Sequence, residues 1–225
     1  NKLKEFNELE VDMIELRIDF YENIHQEDAL RNLFLNIAAL QIQKPVILTI
    51  RTAAEGGEVE IDPKDYFNVY KLAVEANAFD IYDVELALGT NMAIELRTLI
   101  HDAGKYMLML SHNFDRTPEV DSLMQKFRSM DSLEADIMKV AVMPEDYQDL
   151  LNLLSFTVQA KHEYAQKPIV TMSMSSIGLT SRLVGEQFGS AITFATVGKA
   201  SAPGQIDYQE LNQMLDIIHK NIQEA

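Results

Sequence analysis

The sequence contains no cysteine among its 225 residues. Disulfide bonds, thiolate nucleophiles and Cys-ligated metal centres are therefore excluded as elements of its chemistry. Basic residues are scarce as well, since 19 Lys and Arg stand against 35 Asp and Glu and give a formal net charge of −16. Nucleic-acid and anionic-membrane binders need a basic surface, so we expect neither partner. An anionic small molecule remains compatible, because it responds to the local charge in a cleft.

Long apolar runs and nucleotide-binding glycine motifs are also missing. No run reaches the roughly 18 residues of a membrane span, and the chain does not start with a signal-peptide pattern. We therefore expect a soluble cytoplasmic protein. No G-x-G-x-x-G follows any apolar run, which disfavours a dinucleotide-binding, doubly wound sheet. With 225 residues, the chain has the length of one large α/β domain with a full core.

Short apolar runs alternate with longer amphipathic stretches along the whole chain. This alternation predicts a parallel sheet with helical connections, and without a glycine fingerprint it favours a TIM-type (β/α)8 barrel. The predicted strands are Val11–Asp19, Pro45–Arg51, Phe79–Leu86, Tyr106–His112, Asp136–Val142, Pro168–Met174 and Ala191–Val197. The predicted helices are Gln26–Gln41, Pro63–Asn77, Asn91–Ala103, Glu119–Ser129, Glu145–Glu163, Ser181–Gln187 and Asp207–Gln223.

Seven predicted strands are one fewer than a closed (β/α)8 barrel needs. The chain starts at Asn1 in what looks like the end of a helix, Asn1–Leu9, which leads into the first predicted strand. We therefore predict that residues 1–225 form a single (β/α) barrel domain that lacks its first strand. About 30 further N-terminal residues in the native protein would supply the missing βα half-unit. Without them, the barrel is expected to be open between the first and the last predicted strands.

The run D-I-M-K-V-A-V-M-P at 136–144 places one lysine within a predicted buried strand. If helices cover one face of the strand and the barrel interior lies on the other, Lys139 has no access to water from either face. Desolvation would lower its pKa toward a neutral, nucleophilic amine of the kind that forms Schiff bases. The alternative is a lysine that protects an exposed edge strand from pairing.

Other polar residues cluster at the carboxyl ends of the predicted strands, where (β/α)8 barrels carry their active sites. They are Glu15, Arg17 and Asp19, Arg51 with Glu55, Asp83 and Glu85, and His112. Each group also has a structural alternative. Glu15 and Arg17 could form an ion pair within a barrel layer, Arg51 and Glu55 could pair on a surface loop, and His112 could be a packing residue. Asp83 and Glu85 could ligate a metal, although only one histidine stands at a strand end.

The C-terminal part of the chain indicates an anion site and a loop that closes over it. Ser181 begins a predicted helix, and Arg182 lies in its first turn, where the helix dipole and the guanidinium both favour an anion such as a carboxylate. Alternatively, Arg182 pairs with a neighbouring acid. The small residues of Ser201–Gln205 suit a mobile lid with hydroxyl and amide donors, or an ordinary surface turn.

Taken together, these residues resemble the type I 3-dehydroquinate dehydratase family over essentially the whole chain. Six motifs carry the resemblance, in order and at barrel-compatible spacing: E-L-R-I-D at 15–19, R-T-A-A-E-G-G-E at 51–58, S-H-N-F at 111–114, K-V-A-V-M-P at 139–144, M-S-M-S-S-I-G-L-T-S-R at 172–182 and S-A-P-G-Q at 201–205. The resemblance implies a (β/α)8 barrel that is usually a homodimer. It also implies a shikimate-pathway lyase that needs no metal or organic cofactor.

The resemblance also implies a role for each matching residue. Lys139 corresponds to the lysine that forms an imine with the C3 ketone of 3-dehydroquinate, and His112 to the residue that moves the protons of a syn elimination. Glu55 corresponds to the carboxylate that orients this histidine, and Arg182 to the clamp on the substrate carboxylate. The residues expected to contact the ring hydroxyls or the closing loop are Glu15, Arg17, Arg51, Ser201 and Gln205.

Two other functions remain open at this point. A class I aldolase also uses a strand lysine as an imine, but it cleaves a carbon–carbon bond. A protein without activity, such as an inactive barrel fragment kept as an interaction partner, would carry the same residues without turnover.

Overall fold

A computed structural model describes residues 5–198 and 204–223 of the chain. Within these ranges the strands are all parallel and follow one another in sequence order, from β1 to β6. Their bounds are β1 Ile14–Arg17, β2 Val46–Thr49, β3 Ile81–Glu85, β4 Tyr106–Asn113, β5 Ile137–Val142 and β6 Ile169–Ser173. Every residue of β2, β3, β5 and β6 is buried. This explains why β2, β5 and β6 have mostly apolar sequences, whereas β3 also buries Asp83 and Glu85.

Helices follow the strands in a regular alternation. Their bounds are α1 Glu27–Ala38, α2 Pro63–Glu75, α3 Thr90–Asp102, α4 Val120–Ser132, α5 Tyr147–Glu163, α6 Leu179–Phe188 and α7 Tyr208–Gln223. The part of the chain that the structure describes also contains 3₁₀ turns at Phe6–Glu8, Ile18–Phe20, Ala53–Glu55 and Leu86–Leu88. Two helices have aspartate caps, because Asp62 accepts a hydrogen bond from the Asp65 amide and Asp146 one from the Asp149 amide. Pro63 occupies the first turn of α2, where its fixed φ suits a helix start and its missing amide proton is not needed.

The first of two compact units comprises the residues up to Leu110 together with Leu133–Asp136. It contains β1, β2, β3 and the first part of β4. Thr49 of β2 pairs in register with Arg17 of β1 and with Asp83 of β3, so the polar residues at these strand ends lie at one level. The same unit contains an aromatic cluster in which the Phe34 and Phe79 rings meet edge to face, with centroids 5.5 Å apart.

The second unit comprises Ser111–Ser132 and the residues from Ile137 onward. β5 and β6 pair in parallel, with Lys139 opposite Val170. Its core lies between α4 and α5, where the rings of Phe127 and Phe156 are 5.0 Å apart. Both side chains are fully buried, so the two helices are held by close aromatic packing.

Six of the seven predicted strands are confirmed, with ends that shift by a few residues. The prediction of a strand at 191–197 is wrong. Within the described residues, one isolated bridge joins Ser190, just before this segment, to Ile169, and another joins Thr196, inside it, to Asp207. A strand requires a continuous hydrogen-bonded ladder, and apolar β-branched composition alone does not supply one.

Among the helices of residues 5–198 and 204–223, none combines the length and the apolarity of a membrane span.

Candidate active site

Lys139 lies in the middle of β5, and its side chain is only 4% exposed. All six residues of β5 are buried, so the alternative of a lysine that protects an exposed edge is wrong. The Lys139 Nζ lies 4.0 Å from the centroid of the Phe194 ring. The amine therefore faces an aromatic surface, which attracts the ammonium form in a position where burial disfavours charge.

His112 lies at the carboxyl end of β4, in the second unit with Lys139. Its ring stacks on that of Phe114, with centroids 5.4 Å apart and planes inclined by 26°. The imidazole is partly exposed, in contrast to the buried lysine. An imidazole that is held by stacking and still open to solvent is suited to take up and release protons.

Arg182 lies in the first turn of α6 and is only 2% exposed. Its Nη1 donates to the Phe194 carbonyl at 3.4 Å and lies 3.8 Å from the Met172 sulfur. Burial lowers the pKa of the guanidinium. An anion that binds here would compensate for the lost hydration of this charge.

The start of α6 is fastened to the end of β6, which fixes the position of Arg182. The Ser181 hydroxyl accepts a hydrogen bond from the Ser173 amide at 2.9 Å and donates to the Gly178 carbonyl at 2.7 Å. Gly178 makes this close contact possible, because a Cβ there would lie 2.3 Å from the Met174 carbonyl oxygen. The glycine and the buried serine thus bring helix and strand together.

In the first unit, the polar residues at the end of β1 have separate partners. Glu15 accepts a hydrogen bond from the Thr49 hydroxyl at 2.9 Å. Arg17 forms a fork with Asp19, with Nε and Nη2 at 2.7 and 2.6 Å from its two carboxylate oxygens. Among the described residues the ion pair is thus Arg17–Asp19, and the alternative of a Glu15–Arg17 pair is wrong. The Arg17 guanidinium also lies over the Phe20 ring, 4.8 Å from its centroid.

Arg51, just after β2, bridges the two acidic residues of β3. Its Nη2 contacts both carboxylate oxygens of Asp83, at 3.0 and 3.1 Å, and its Nη1 contacts Glu85 at 3.0 Å. Although burial alone lowers the pKa of Arg51, the charges of Asp83 and Glu85 raise it overall, so the guanidinium stays charged. The two carboxylates hold a guanidinium, and no cluster of three or more potential ligands exists in the described ranges to support the metal alternative.

Glu55 follows in the 3₁₀ turn after β2 and is 7% exposed. Arg51 is 4% exposed, so the alternative of a pair on a surface loop is wrong for both residues. Two predicted lid residues remain. Ser201 lies outside the described residues, and Gln205 is half-buried in the second unit.

Comparison with known proteins adds independent evidence. The family model described as type I 3-dehydroquinase matches residues 1–222. The chain belongs to this family. Among curated relatives, 3-dehydroquinate dehydratase of Bacillus subtilis is 41% identical over 213 residues, which cover 95% of this chain and 84% of the relative. That of Bacillus licheniformis is 40% identical over 217 residues, which cover 96% and 85%.

A solved structure supports the same assignment for the fold. The crystal structure of type I 3-dehydroquinate dehydratase from Clostridium difficile, with covalently modified comenic acid, matches with a TM-score of 0.93 and 36% identity. The match covers 98% of this chain and 87% of that one. The type I 3-dehydroquinase fold of this chain is therefore a TIM-barrel-like α/β fold with a parallel sheet, and the predicted fold class is confirmed.

The structure brings together Lys139 and Phe194 with Arg182 and Met172 in the second unit. In the first unit, Glu15, Arg17, Arg51 and Glu55 lie around the ends of β1 to β3. His112 and Gln205 belong to the second unit. Sequence reasoning missed Thr52 and Phe194. Phe194 belongs to the apolar run predicted as a strand at 191–197, and no sequence pattern marks its ring as a neighbour of Lys139. Thr52 directly follows Arg51 within the motif at 51–58.

Proposed function

We propose that this chain dehydrates 3-dehydroquinate to 3-dehydroshikimate through an imine at Lys139, within the shikimate pathway. The observation that supports the proposal most directly is the buried lysine on β5, which is 4% exposed. Burial away from water disfavours the charged ammonium form of an amine. The neutral form that is favoured instead is a good nucleophile toward a ketone. Membership of the type I 3-dehydroquinase family indicates that this ketone is the one in 3-dehydroquinate.

The reaction balances within the substrate and the side chains. The Lys139 amine adds to the C3 ketone and expels water, and the protonated imine withdraws electrons from C2. His112 takes a proton from C2, the electron pair forms the C1–C2 double bond, and the C1 hydroxyl leaves with the proton that His112 returns. Water then hydrolyses the imine and frees the lysine. The net change is the loss of one water, which calls for no oxidant, reductant, metal or organic cofactor.

The other predicted residues have supporting roles in this proposal. Glu55 orients His112, and Arg182 binds the substrate carboxylate. The residues proposed to contact the ring hydroxyls or the closing loop are Glu15, Arg17, Arg51, Ser201 and Gln205. The buried Arg51 is consistent with a preorganised arrangement, because its two carboxylate partners fix it before any ligand arrives.

The wider setting is part of the same proposal. We propose a single barrel domain that works as a cytoplasmic homodimer on a small-molecule substrate, without nucleic-acid or membrane partners. The formal net charge of −16 supports the absence of polyanionic partners.

Borohydride reduction in the presence of 3-dehydroquinate tests the imine. Mass spectrometry should find the reduced adduct on Lys139, and Lys139→Ala should lose both the adduct and turnover. Lys71→Ala is a matched control, because the Lys71 side chain is 54% exposed and contacts Glu75. An aldolase would instead release two smaller carbonyl compounds, whereas dehydration gives a conjugated enone with ultraviolet absorbance. A folded wild-type protein that forms neither an adduct nor 3-dehydroshikimate would support the inactive alternative.

A further inference from the structure

The hydrogen bonds of the loop that carries Glu55 converge on Thr52. The Thr52 carbonyl accepts from the amides of Glu55 at 3.0 Å and Gly57 at 2.8 Å. On the far side of the loop, the Ala53 amide donates to the Val59 carbonyl at 2.8 Å. The loop backbone on both sides of Glu55 is therefore hydrogen-bonded to Thr52, so a displacement of Thr52 would move Glu55 as well.

Glu85 of β3 holds the other two polar groups of Thr52. Its Oε1 accepts from the Thr52 amide at 2.9 Å, and its Oε2 accepts from the Thr52 hydroxyl at 2.7 Å. Glu85 is 1% exposed and Thr52 is 8% exposed, so water does not compete for these bonds. We call this two-point contact between Glu85 and Thr52 the Thr52 clasp.

The clasp is itself fixed from the opposite side. Arg51 Nη1 donates to the same Oε1 of Glu85 at 3.0 Å, while Arg51 Nη2 is held by Asp83. The Arg51 amide and the Glu58 amide both point at Asp19, at 3.3 and 3.4 Å. Both ends of the loop are thus tied to buried carboxylates that belong to neighbouring strand ends.

The charge of Glu55 also acts on Glu85, the acidic member of the clasp. Burial raises the pKa of Glu85, the Arg51 charge and the Thr52 bonds lower it in part, and the charge of Glu55 raises it further. The two carboxylates therefore sense each other, although Glu85 faces Thr52 and Arg51.

We propose that Glu85 and Thr52 are positioning residues for the dehydration, because the Thr52 clasp sets the orientation of Glu55. This inference rests on the proposed function, in which Glu55 in turn orients His112. It assigns a role to two residues that have no part in the steps of the proposed reaction.

Thr52→Val tests the clasp, because valine keeps the shape of threonine and removes the hydroxyl bond to Glu85 Oε2, while the backbone amide can still donate to Oε1. We expect kcat to fall by about tenfold with little change in KM, since geometry and not substrate binding is lost. Thr52→Ser restores the hydroxyl and should recover most of the kcat. Thr98→Val is the matched control, because its hydroxyl bonds to the Ile94 carbonyl on an exposed helix face. Borohydride trapping at Lys139 should stay at the wild-type level.

A double-mutant cycle with Glu55→Gln separates positioning from general damage. If the clasp acts through Glu55, Thr52→Val costs less than about twofold in the Glu55→Gln background. Glu85→Gln provides a second cycle with the same expectation, should Thr52→Val fold poorly by circular dichroism. Wild-type kcat in Thr52→Val, or an effect that is fully additive in both cycles, would overturn the clasp alone. A wild-type protein that forms no 3-dehydroshikimate would overturn the proposed function and the clasp together.

Discussion

The Arg182 guanidinium is buried and contacts a carbonyl and a sulfur atom. In the proposed reaction it binds the substrate carboxylate and takes no part in the chemical step, so kinetics can separate the two. We predict that Arg182→Ala raises KM by about tenfold or more and changes kcat less, since charge-assisted bonds to a carboxylate are lost. Steady-state kinetics measure both constants. Arg128→Ala is the control, because the Arg128 side chain is 61% exposed and pairs with Glu163. A normal KM in Arg182→Ala would remove the carboxylate clamp from the proposal.

His112 should affect the chemical step without affecting the imine. In His112→Ala we predict a kcat lower by about 10²–10⁴-fold, the usual contribution of a positioned acid–base group. Borohydride should still reduce an adduct on Lys139, because the amine and the ketone remain. His162→Ala, a change on the exposed surface of α5, serves as the control. Unchanged rates in His112→Ala would show that another group moves the protons.

At the scale of elements, the loop after β2 is built on a close approach between backbones. A Cβ on Gly57 would lie 1.9 Å from the Arg51 carbonyl oxygen. We predict that Gly57→Ala lowers the free energy of unfolding by about 2 kcal/mol or more, because the loop must move and breaks bonds at Thr52.

Gly104→Ala is the informative comparison for this prediction. Gly104 has a φ of +69° but no atom within 4 Å of an added Cβ, so only backbone strain of about 1 kcal/mol is expected. Urea unfolding of the two variants measures the difference. Equal stability of Gly57→Ala and Gly104→Ala would show that the close contact at Arg51 relaxes without cost.

The strands were predictable where burial alone determines the sequence. β5 and β6 are buried at every position and read as apolar runs. The same criterion failed at 191–197, because a segment with strand-like composition lacks a ladder there. Periodicity shows how a segment is buried, whereas a ladder depends on what lies beside it.

The sequence predicted which residues belong to the candidate site, but it did not predict which of them contact each other. Arg17 and Asp19 were predicted to lie among the polar residues at the end of one strand, and they form a fork. The Thr52 clasp joins residues 33 positions apart, so no local pattern indicates it. Asp83 and Glu85 were visible as acidic neighbours, but their shared partner Arg51 comes from another strand end. The register between neighbouring strands determines which buried charges meet, and the pattern of a single sequence does not reveal this register.

At the scale of the whole molecule, 35 acidic and 19 basic residues leave an excess of negative charge that repels itself in the folded state. Salt screens this repulsion, since the Debye length falls from about 30 Å at 0.01 M to about 8 Å at 0.15 M. Salt also weakens exposed pairs such as Arg31 with Glu27, but such pairs contribute only about 0–1 kcal/mol each. The buried contacts of Arg51 are screened much less.

We therefore predict that the midpoint of thermal unfolding rises between 0.01 and 0.15 M NaCl, concentrations that span the Debye lengths above. The expected rise is about 2–4 °C, equivalent to about 1 kcal/mol for a chain of this size. Chloride is the appropriate salt, because sulfate strengthens apolar burial in addition to screening charge. Scanning calorimetry at fixed protein concentration measures the midpoint. A midpoint that falls with NaCl would mean that specific surface pairs outweigh the net repulsion of the acidic surface.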